Sequence, residues 1–212
     1  MSGERILKRA LSVDDILSKS FELLEFEEQW HQAFGHPENK GIWFIWGNSG
    51  NGKTSFMLQL CKELSRFGRI VINSLEEGSG HTVQKAFERE GMSALKRRLI
   101  LTSESMEDFD SRLSKRKSPE IAVIDSFQYT GLSFRDFLAF KKKHPDKLLI
   151  FISQADGKKP MGRAAVSVMY DASLKIWVEG YKAFSKGRYI GPNGGTYTIY
   201  EEGAALYHGT GT

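Results

Sequence analysis

The sequence predicts a doubly wound α/β fold, with a mainly parallel sheet between two layers of helices. Short, nearly continuous apolar runs alternate along the chain with segments of helical spacing. Strands that are apolar on both faces are typical of parallel sheets that helices cover on both sides. The composition, 40% hydrophobic and 26% charged over 212 residues, is ordinary for one globular domain.

The first predicted element is a helical lead-in over residues 1–40. Apolar side chains recur at helix-like spacing from Ile16 to Phe34, and a glycine and a proline then end the pattern. We expect this segment to pack on a domain that spans residues 41–212. The N-terminus lacks the apolar core of a signal peptide and no apolar run is long enough to span a membrane, so we expect a cytoplasmic protein without a membrane partner.

A glycine-rich loop follows the first predicted strand. Its letters, GNSGNGKTS, fit the phosphate-binding pattern G-x-x-x-x-G-K-[S/T] at every fixed position, between a strand-like run and a helical stripe. The glycines let backbone N–H groups point at phosphate oxygens, Lys53 would reach the β and γ phosphates, and the Thr54 hydroxyl would bind Mg²⁺. We therefore expect ATP and Mg²⁺ as cofactors. The predicted nucleotide-binding residues are Gly47, Asn48, Ser49, Gly50, Asn51, Gly52, Lys53, Thr54 and Ser55.

Further strands and helices alternate after the loop. Apolar runs predict strands at residues 69–74, 99–102, 121–125 and 148–153. Capping-box patterns predict that helices begin after Ser105 and Ser133. From residue 173 the pattern changes to strands without helices, which predicts an antiparallel edge of the sheet.

The cysteine and histidine content limits the possible chemistry. Cys61 is the single cysteine and lies on the apolar face of the helix after the loop, so we expect a buried and inert thiol. His31 and His36 have no acidic or cysteine partner at metal-ligand spacing. Disulfides and cysteine–metal sites are therefore excluded.

The net charge of +4 is distributed unevenly. Residues 1–140 carry 19 Lys and Arg against 20 Asp and Glu, which gives −1, whereas residues 141–212 carry 11 against 6, which gives +5. A solvated face explains such a bias as well as function does. The bias is also compatible with a partner that has a phosphate backbone.

Acidic residues follow two of the predicted strands. Asp125 ends the run IAVID, where phosphoryl-transfer chemistry needs a second anchor for Mg²⁺. Glu76 and Glu77 follow the second strand. Because ligands of doubly wound sheets lie outside the carboxyl ends of the strands, either glutamate is placed to act as the base that orients water.

These residues together resemble the RecA-like ATPases, in particular the branch of the DnaB-type hexameric helicases, RadA and KaiC. The segment SLEE is similar to that branch's S-L-E segment, which implies that Glu76 is the catalytic base. IFISQADG is similar to the strand that ends in a γ-phosphate sensor, which implies this role for Gln154. The loop after that strand faces DNA in the family, which implies contact with single-stranded DNA through Lys158, Lys159 and Arg163.

The resemblance extends to a predicted subunit interface. KGRYIGPNGG is similar to the K-N-R-x-G-x-x-G segment, whose Lys and Arg reach the neighbour's ATP. It implies that Lys186 and Arg188 act in trans and that the chain assembles into a ring or filament. The asparagine of that pattern is Gly187 here. The sequence also lacks the large N-terminal domain of replicative helicases and the zinc-binding segment of RadA, and in length it is similar to short phage and mobile-element ATPases.

We therefore expect a Mg²⁺-dependent RecA-like ATPase that oligomerises and binds single-stranded DNA in recombination, repair or replication. The alternative from another class is a KaiC-like ATPase, in which nucleotide gates assembly or signalling and no DNA is bound. A small-molecule kinase is a third reading. Kinases of this class usually need an Arg-bearing lid over the phosphates, and the sequence contains no such insertion.

Overall fold

The structure, a computed structural model, describes residues 9–209 and is built on a twisted, mainly parallel sheet. The predicted α/β class is confirmed. In chain order, the strands are β1 (Gly41–Gly47), β2 (Ile70–Ser74), β3 (Leu99–Thr102), β4 (Ile121–Asp125), β5 (Leu148–Asp156), β6 (Lys159–Pro160), β7 (Leu174–Glu179), β8 (Lys182–Gly187) and β9 (Gly195–Thr198). The helices are α1 (Val13–Leu17), α2 (Glu28–Phe34), α3 (Lys53–Leu64), α4 (His81–Arg89), α5 (Met106–Leu113), α6 (Phe134–Lys143), α7 (Arg163–Asp171) and α8 (Glu201–His208).

Over the described residues the strand order is β3-β2-β4-β5-β1-β7-β8-β9. All neighbours from β3 to β7 are parallel, and β8 and β9 add an antiparallel edge, as the sequence predicts. The short β6 pairs antiparallel with the end of β5. Crossovers through helices bring the carboxyl ends of β1, β2, β4 and β5 to one edge of the sheet, where ligands of such sheets bind.

Two apolar clusters cover the two faces of the sheet. Trp43 and Ile45 of β1 point into the cluster that contains the apolar face of α3, while Ile42 and Phe44 point into the cluster with α5, α6 and α7. This alternation follows from the period-two geometry of a strand. Cys61 is buried in the first cluster, and burial raises the pKa of its thiol to about 12, so the prediction of an inert cysteine is confirmed.

The N-terminal segment differs from the helical lead-in that its spacing predicts. Only α1 and α2 are helical; residues 18–27 form no helix, and Leu23 bridges to Glu38. Leu24 and Phe26 are buried, whereas Ile16 and Phe21 are exposed. Apolar residues at helical spacing do not share one face here, because an irregular chain buries 24 and 26 while leaving 16 and 21 in solvent.

The C-terminal segment also differs from the prediction. The expectation of strands without helices after residue 173 is wrong, since α8 follows β9. Its eight residues are too few to show a helical period, although Glu201 and Glu202 in the first turn favour the positive end of the helix dipole. None of the helices between residues 9 and 209 has both the length and the apolar character that a membrane span requires. Residues 1–8 and 210–212 of the two predicted segments lie outside the described residues.

Candidate functional site

The glycine-rich loop joins β1 to α3 at the carboxyl edge of the sheet. Gly50 and Gly52 have φ of 75° and 95°, a conformation that L side chains rarely adopt. A Cβ at Gly47 would collide with the carbonyl of Val178 in the neighbouring β7. Gly52 precedes α3 without a side-chain cap, so the first N–H groups of this 12-residue helix are available to an anion.

Lys53 lies against the loop that it follows. Its Nζ donates to the carbonyl of Asn48 at 2.8 Å. Burial lowers the pKa of Lys53, and the nearby charges of Asp125 and Glu76 oppose that shift. Each of these groups carries a charge that the next one balances, which ties the loop to the acidic residues across the cavity.

Asp125 ends β4 between β2 and β5, where it pairs with Ser74 and Ile152. Burial raises the pKa of Asp125 to about 6; the charges of Glu76 and Glu77 raise it too, and Lys53 lowers it. A carboxylate with this pKa is ionised in most molecules at pH 7 and gains from a cation nearby.

The two glutamates after β2 have different surroundings. The backbone N–H groups of Leu75 and Glu76 donate to the Asp125 carbonyl at 2.6 and 3.3 Å, which fixes the turn. Glu76 Oε1 accepts from Gln154 Nε2 at 3.1 Å, whereas Glu77 Oε2 accepts from the Thr82 hydroxyl at 2.6 Å. Glu76 is therefore directed across the edge of the sheet, and Glu77 is held by the first turn of α4.

These groups open on one cavity of about 820 Å³. Loop residues and the acids form one end of it, and Thr54 is exposed there. The buried hydroxyl of Ser126 also lines the cavity, and it has no hydrogen-bond partner among residues 9–209. A glycine cradle, an uncapped helix N-terminus and an orphaned hydroxyl fit a phosphate ligand with Mg²⁺ held by Thr54 and Asp125. No cluster of three or more His, Cys, Asp or Glu in the described part of the chain could hold a metal ion.

Sequence reasoning missed the residues at the other end of the cavity, Tyr181, Ile199 and Tyr200. They belong to the turn between β7 and β8 and to the segment after β9, and Asn51 connects them to the loop. Its Oδ1 accepts from the Gly180 N–H at 2.7 Å, and its carbonyl accepts from the Tyr181 N–H at 3.2 Å. The only available signal was the aromatic residue after each strand of the C-terminal edge.

The hairpin formed by β5 and β6 carries Lys158 and Lys159, and Arg163 begins α7; all three side chains are exposed. Two side chains hydrogen-bond to the hairpin turn. Trp46 Nε1 donates to the Lys158 carbonyl at 3.1 Å, and Asn48 Nδ2 donates to the Gly157 carbonyl at 3.3 Å. The hairpin is thus connected directly to β1 and to the glycine-rich loop.

Gln128, which the sequence analysis did not single out, connects β5 to the segment after β6. Its Nε2 donates to Ser153 Oγ at 2.8 Å and to the Met161 carbonyl at 2.9 Å. Its Oε1 accepts from the Gln154 N–H at 3.1 Å. Gln128 thereby holds the backbone of Gln154, whose side chain contacts Glu76.

Lys186 and Arg188 do not reach this cavity. β8 starts at the loop edge, where Lys182 pairs with Glu179, and runs away from it until Lys186 pairs with Lys175. The four-residue separation from Lys182 corresponds to roughly 13 Å at about 3.3 Å per residue. Both side chains are exposed at the opposite end of the sheet.

Comparison with solved structures identifies the fold. The chain is similar to the flagellar accessory protein FlaH from Methanocaldococcus jannaschii, with a TM-score of 0.55 and 12% identity over 81% of this chain and 92% of that one. It is also similar to the ATPase domain of a DnaB-like helicase, with a TM-score of 0.54 and 17% identity over 78% of this chain and 84% of that one. The fold is RecA-like. No protein-family model and no curated protein matches the chain.

Proposed function

We propose that this chain is a Mg²⁺-dependent, ATP-binding and ATP-hydrolysing RecA-like core that oligomerises and binds single-stranded DNA in recombination, repair or replication. The observation that carries the proposal is the facing arrangement of Lys53, Asp125, Glu76 and Gln154 around one cavity at the carboxyl edge. That arrangement supplies a cation for the phosphates, two acids and an amide within one site. We include in the proposal the division into a lead-in of residues 1–40 and an ATPase domain of residues 41–212.

In the nucleotide site, the loop from Gly47 to Ser55 cradles the phosphates through its backbone N–H groups. Lys53 leaves the Asn48 carbonyl and contacts the β and γ oxygens, to which it donates charge-assisted hydrogen bonds. Bound Mg²⁺ would neutralise charge that develops on the β and γ phosphates. Thr54 and Asp125 hold the ion, directly or through its waters.

Glu76 accepts the proton of the attacking water, and Gln154 senses the γ-phosphate. Because Gln154 Nε2 already contacts Glu76, a phosphate oxygen that takes this donor also frees the carboxylate for water. The state of the γ-phosphate then passes along β5 to the hairpin with Lys158 and Lys159. The bonds from Trp46 and Asn48 support a second route from the loop to the same hairpin.

Assembly is the remaining part of the proposal. Lys186 and Arg188 are exposed at the end of the sheet away from the cavity of their own chain. A role for them at a nucleotide therefore requires a neighbouring subunit, and they would stabilise charge on its γ-phosphate in trans.

One experiment tests the function directly: ATP hydrolysis measured with and without single-stranded DNA, at protein concentrations that span assembly. We expect turnover per subunit to rise with concentration and to rise further with DNA. Turnover that depends on assembly but not on DNA would favour the KaiC-like alternative. No Mg²⁺-dependent turnover under any of these conditions would contradict the proposal.

A further inference from the structure

A cationic groove lies at the amino end of the sheet, opposite to the glycine-rich loop. It has a volume of about 730 Å³, and its walls are the segments that lead into β2 and β3, with Phe67 and Leu95 among the lining residues. A second cavity of about 230 Å³ adjoins it and shares Arg69 and Arg97 with it. The two cavities together form one continuous concave surface, which we call the basic groove.

Six exposed cations surround the basic groove. They come from the segment before β3 and from the loop between α5 and β4, and in the part of the chain that the structure describes none has an acidic side chain within 4.0 Å. The nearby acids are already paired, Glu120 with Arg69 and Glu104 with Arg112. The six are Lys96, Arg97, Arg98, Lys115, Arg116 and Lys117.

The walls of the basic groove are fixed by hydrogen bonds to the backbone. Arg98 Nη1 donates to the Ser65 carbonyl at 2.9 Å. Lys147 is buried, and its Nζ donates to Ser118 Oγ and to the Pro119 carbonyl, both at 2.8 Å. These bonds anchor the two cationic segments on either side of Arg69. The charges are therefore held together in the absence of a ligand, although like charges repel.

The shape and the charge together indicate the kind of partner. The surface is concave and too small to admit a duplex, but it is wide enough for one chain. A bilayer would instead require a flat or protruding surface with apolar side chains. Grooves that bind single strands combine cations along the backbone with aromatic surface beneath the bases, and here Phe67 lies among the cations, with the Arg66 guanidinium 5.5 Å from its ring.

We propose that the basic groove binds the phosphate backbone of a single-stranded nucleic acid. This site is separate from the hairpin with Lys158 and Lys159, which lies at the other end of the sheet. It needs no nucleotide, so it does not rest on the proposed ATPase activity. A strand bound here would contact the subunit at the end of the sheet where Lys186 and Arg188 are exposed.

The test compares two charge-reversal pairs that change the net charge equally. Arg97→Glu/Lys117→Glu alters the basic groove. Arg135→Glu/Lys142→Glu alters exposed residues of α6, for which no ion pair occurs within residues 9–209. Binding of a fluorescent oligothymidylate is followed by anisotropy over a range of salt concentrations. Each measurement is repeated in a Lys158→Ala/Lys159→Ala background, which removes the hairpin's contribution.

We expect the groove pair to weaken binding at least about tenfold. The slope of log affinity against log salt should become shallower by about 1.4, since each lost phosphate contact on a single strand contributes about 0.7. The α6 pair should bind as the wild type does, and basal ATP turnover should be the same in both. Circular dichroism checks the fold. Arg97→Gln/Lys117→Gln, which is less disruptive, should shift affinity in the same direction by a smaller factor.

Three results would overturn the proposal. The first is wild-type affinity in the groove pair, and the second is an equal loss in the α6 pair, which would indicate a general charge effect. The third is groove-dependent binding to phosphatidylserine vesicles that is tighter than binding to the oligonucleotide. Loss of ATP turnover in the wild type with intact groove-dependent binding would instead reject the proposed ATPase and leave this inference standing.

Discussion

Gln154 donates a hydrogen bond from Nε2 to Oε1 of Glu76 at 3.1 Å, although the two residues are 78 positions apart in the chain. Only β4 separates their strands in the sheet, so the bond spans the carboxyl edge at the position of Asp125. It distinguishes Glu76 from Glu77, which is bound by Thr82 instead.

The first prediction concerns this pair of glutamates. Glu76→Gln should retain ATP binding and lose hydrolysis by about 10² to 10⁴-fold, because it removes a general base and leaves the phosphate cradle intact. Glu77→Gln is the matched control and should have a milder effect. Steady-state turnover and nucleotide affinity are measured for both. An inactive Glu77→Gln beside an active Glu76→Gln would show that the assignment is off by one residue.

The second prediction is a pH dependence of stability that originates at Asp125. Its folded pKa, about 6, is raised above the usual value of 3.8, so the folded state binds the proton more tightly. Its contribution to stability is therefore present at low pH and is lost as the pH rises through about 6. Asp125→Asn removes this loss and should raise the free energy of unfolding at pH 7 by up to about 3 kcal/mol, since one pKa unit corresponds to about 1.36 kcal/mol.

Thermal unfolding without nucleotide tests this prediction. The gain in Tm of Asp125→Asn should be clear at pH 7 and should shrink as the pH falls towards 4. Asp146→Asn, at an exposed position just before β5, removes the same charge and should leave Tm almost unchanged. A lower Tm for Asp125→Asn at pH 7 would mean that the carboxylate stabilises the fold.

The third prediction concerns the link between β1 and the hairpin. Trp46→Phe removes the indole donor to the Lys158 carbonyl and keeps an aromatic ring next to Phe44 and Trp177. Loss of one hydrogen bond costs about 1 kcal/mol, so stimulation of ATP turnover by single-stranded DNA should fall by about fivefold while basal turnover persists.

Trp177→Phe is the control, because it removes an indole from the same cluster whose donor goes to Glu179 instead. Its stimulation by DNA should equal that of the wild type. If the two variants behave alike, the bond to Lys158 does not transmit the effect of DNA.

The fourth prediction concerns Lys186 and Arg188. Arg188→Ala has an intact loop and Lys53→Ala has intact cations at the interface, so each variant alone should be inactive. Mixed assemblies should recover part of the wild-type rate, because Lys53→Ala subunits supply Arg188 to the active loops of their neighbours. Absence of recovery despite demonstrated co-assembly would exclude a role for Arg188 in trans.

Local sequence patterns predicted the parts of the fold that local chemistry determines. The loop is recognisable because the φ angles of Gly50 and Gly52 and the close approach at Gly47 require glycine at those positions. The apolar runs predicted β1, β2, β4 and β5 because strands buried on both faces contain few polar residues.

Contacts between distant segments could not be read in the same way. Gln128 is an ordinary polar residue in the sequence, and its role depends on Ser153 and Met161 being brought beside it by folding. Tyr181 reaches the cavity only because Asn51 holds the turn between β7 and β8. Helical spacing near Phe21 gave no information on burial, and the chain there is not helical.

The central claim is that the loop from Gly47 to Ser55 binds a nucleoside triphosphate through Lys53. Titration with a fluorescent ATP analogue in the presence of Mg²⁺ tests it most directly, with Lys53→Ala compared against Lys142→Ala, which removes an exposed cation of α6. Charge-assisted bonds to phosphate are strong, so Lys53→Ala should lose at least about 100-fold in affinity, or ~3 kcal/mol, while Lys142→Ala binds as the wild type does. Equal affinity of Lys53→Ala and the wild type for the analogue would contradict the account.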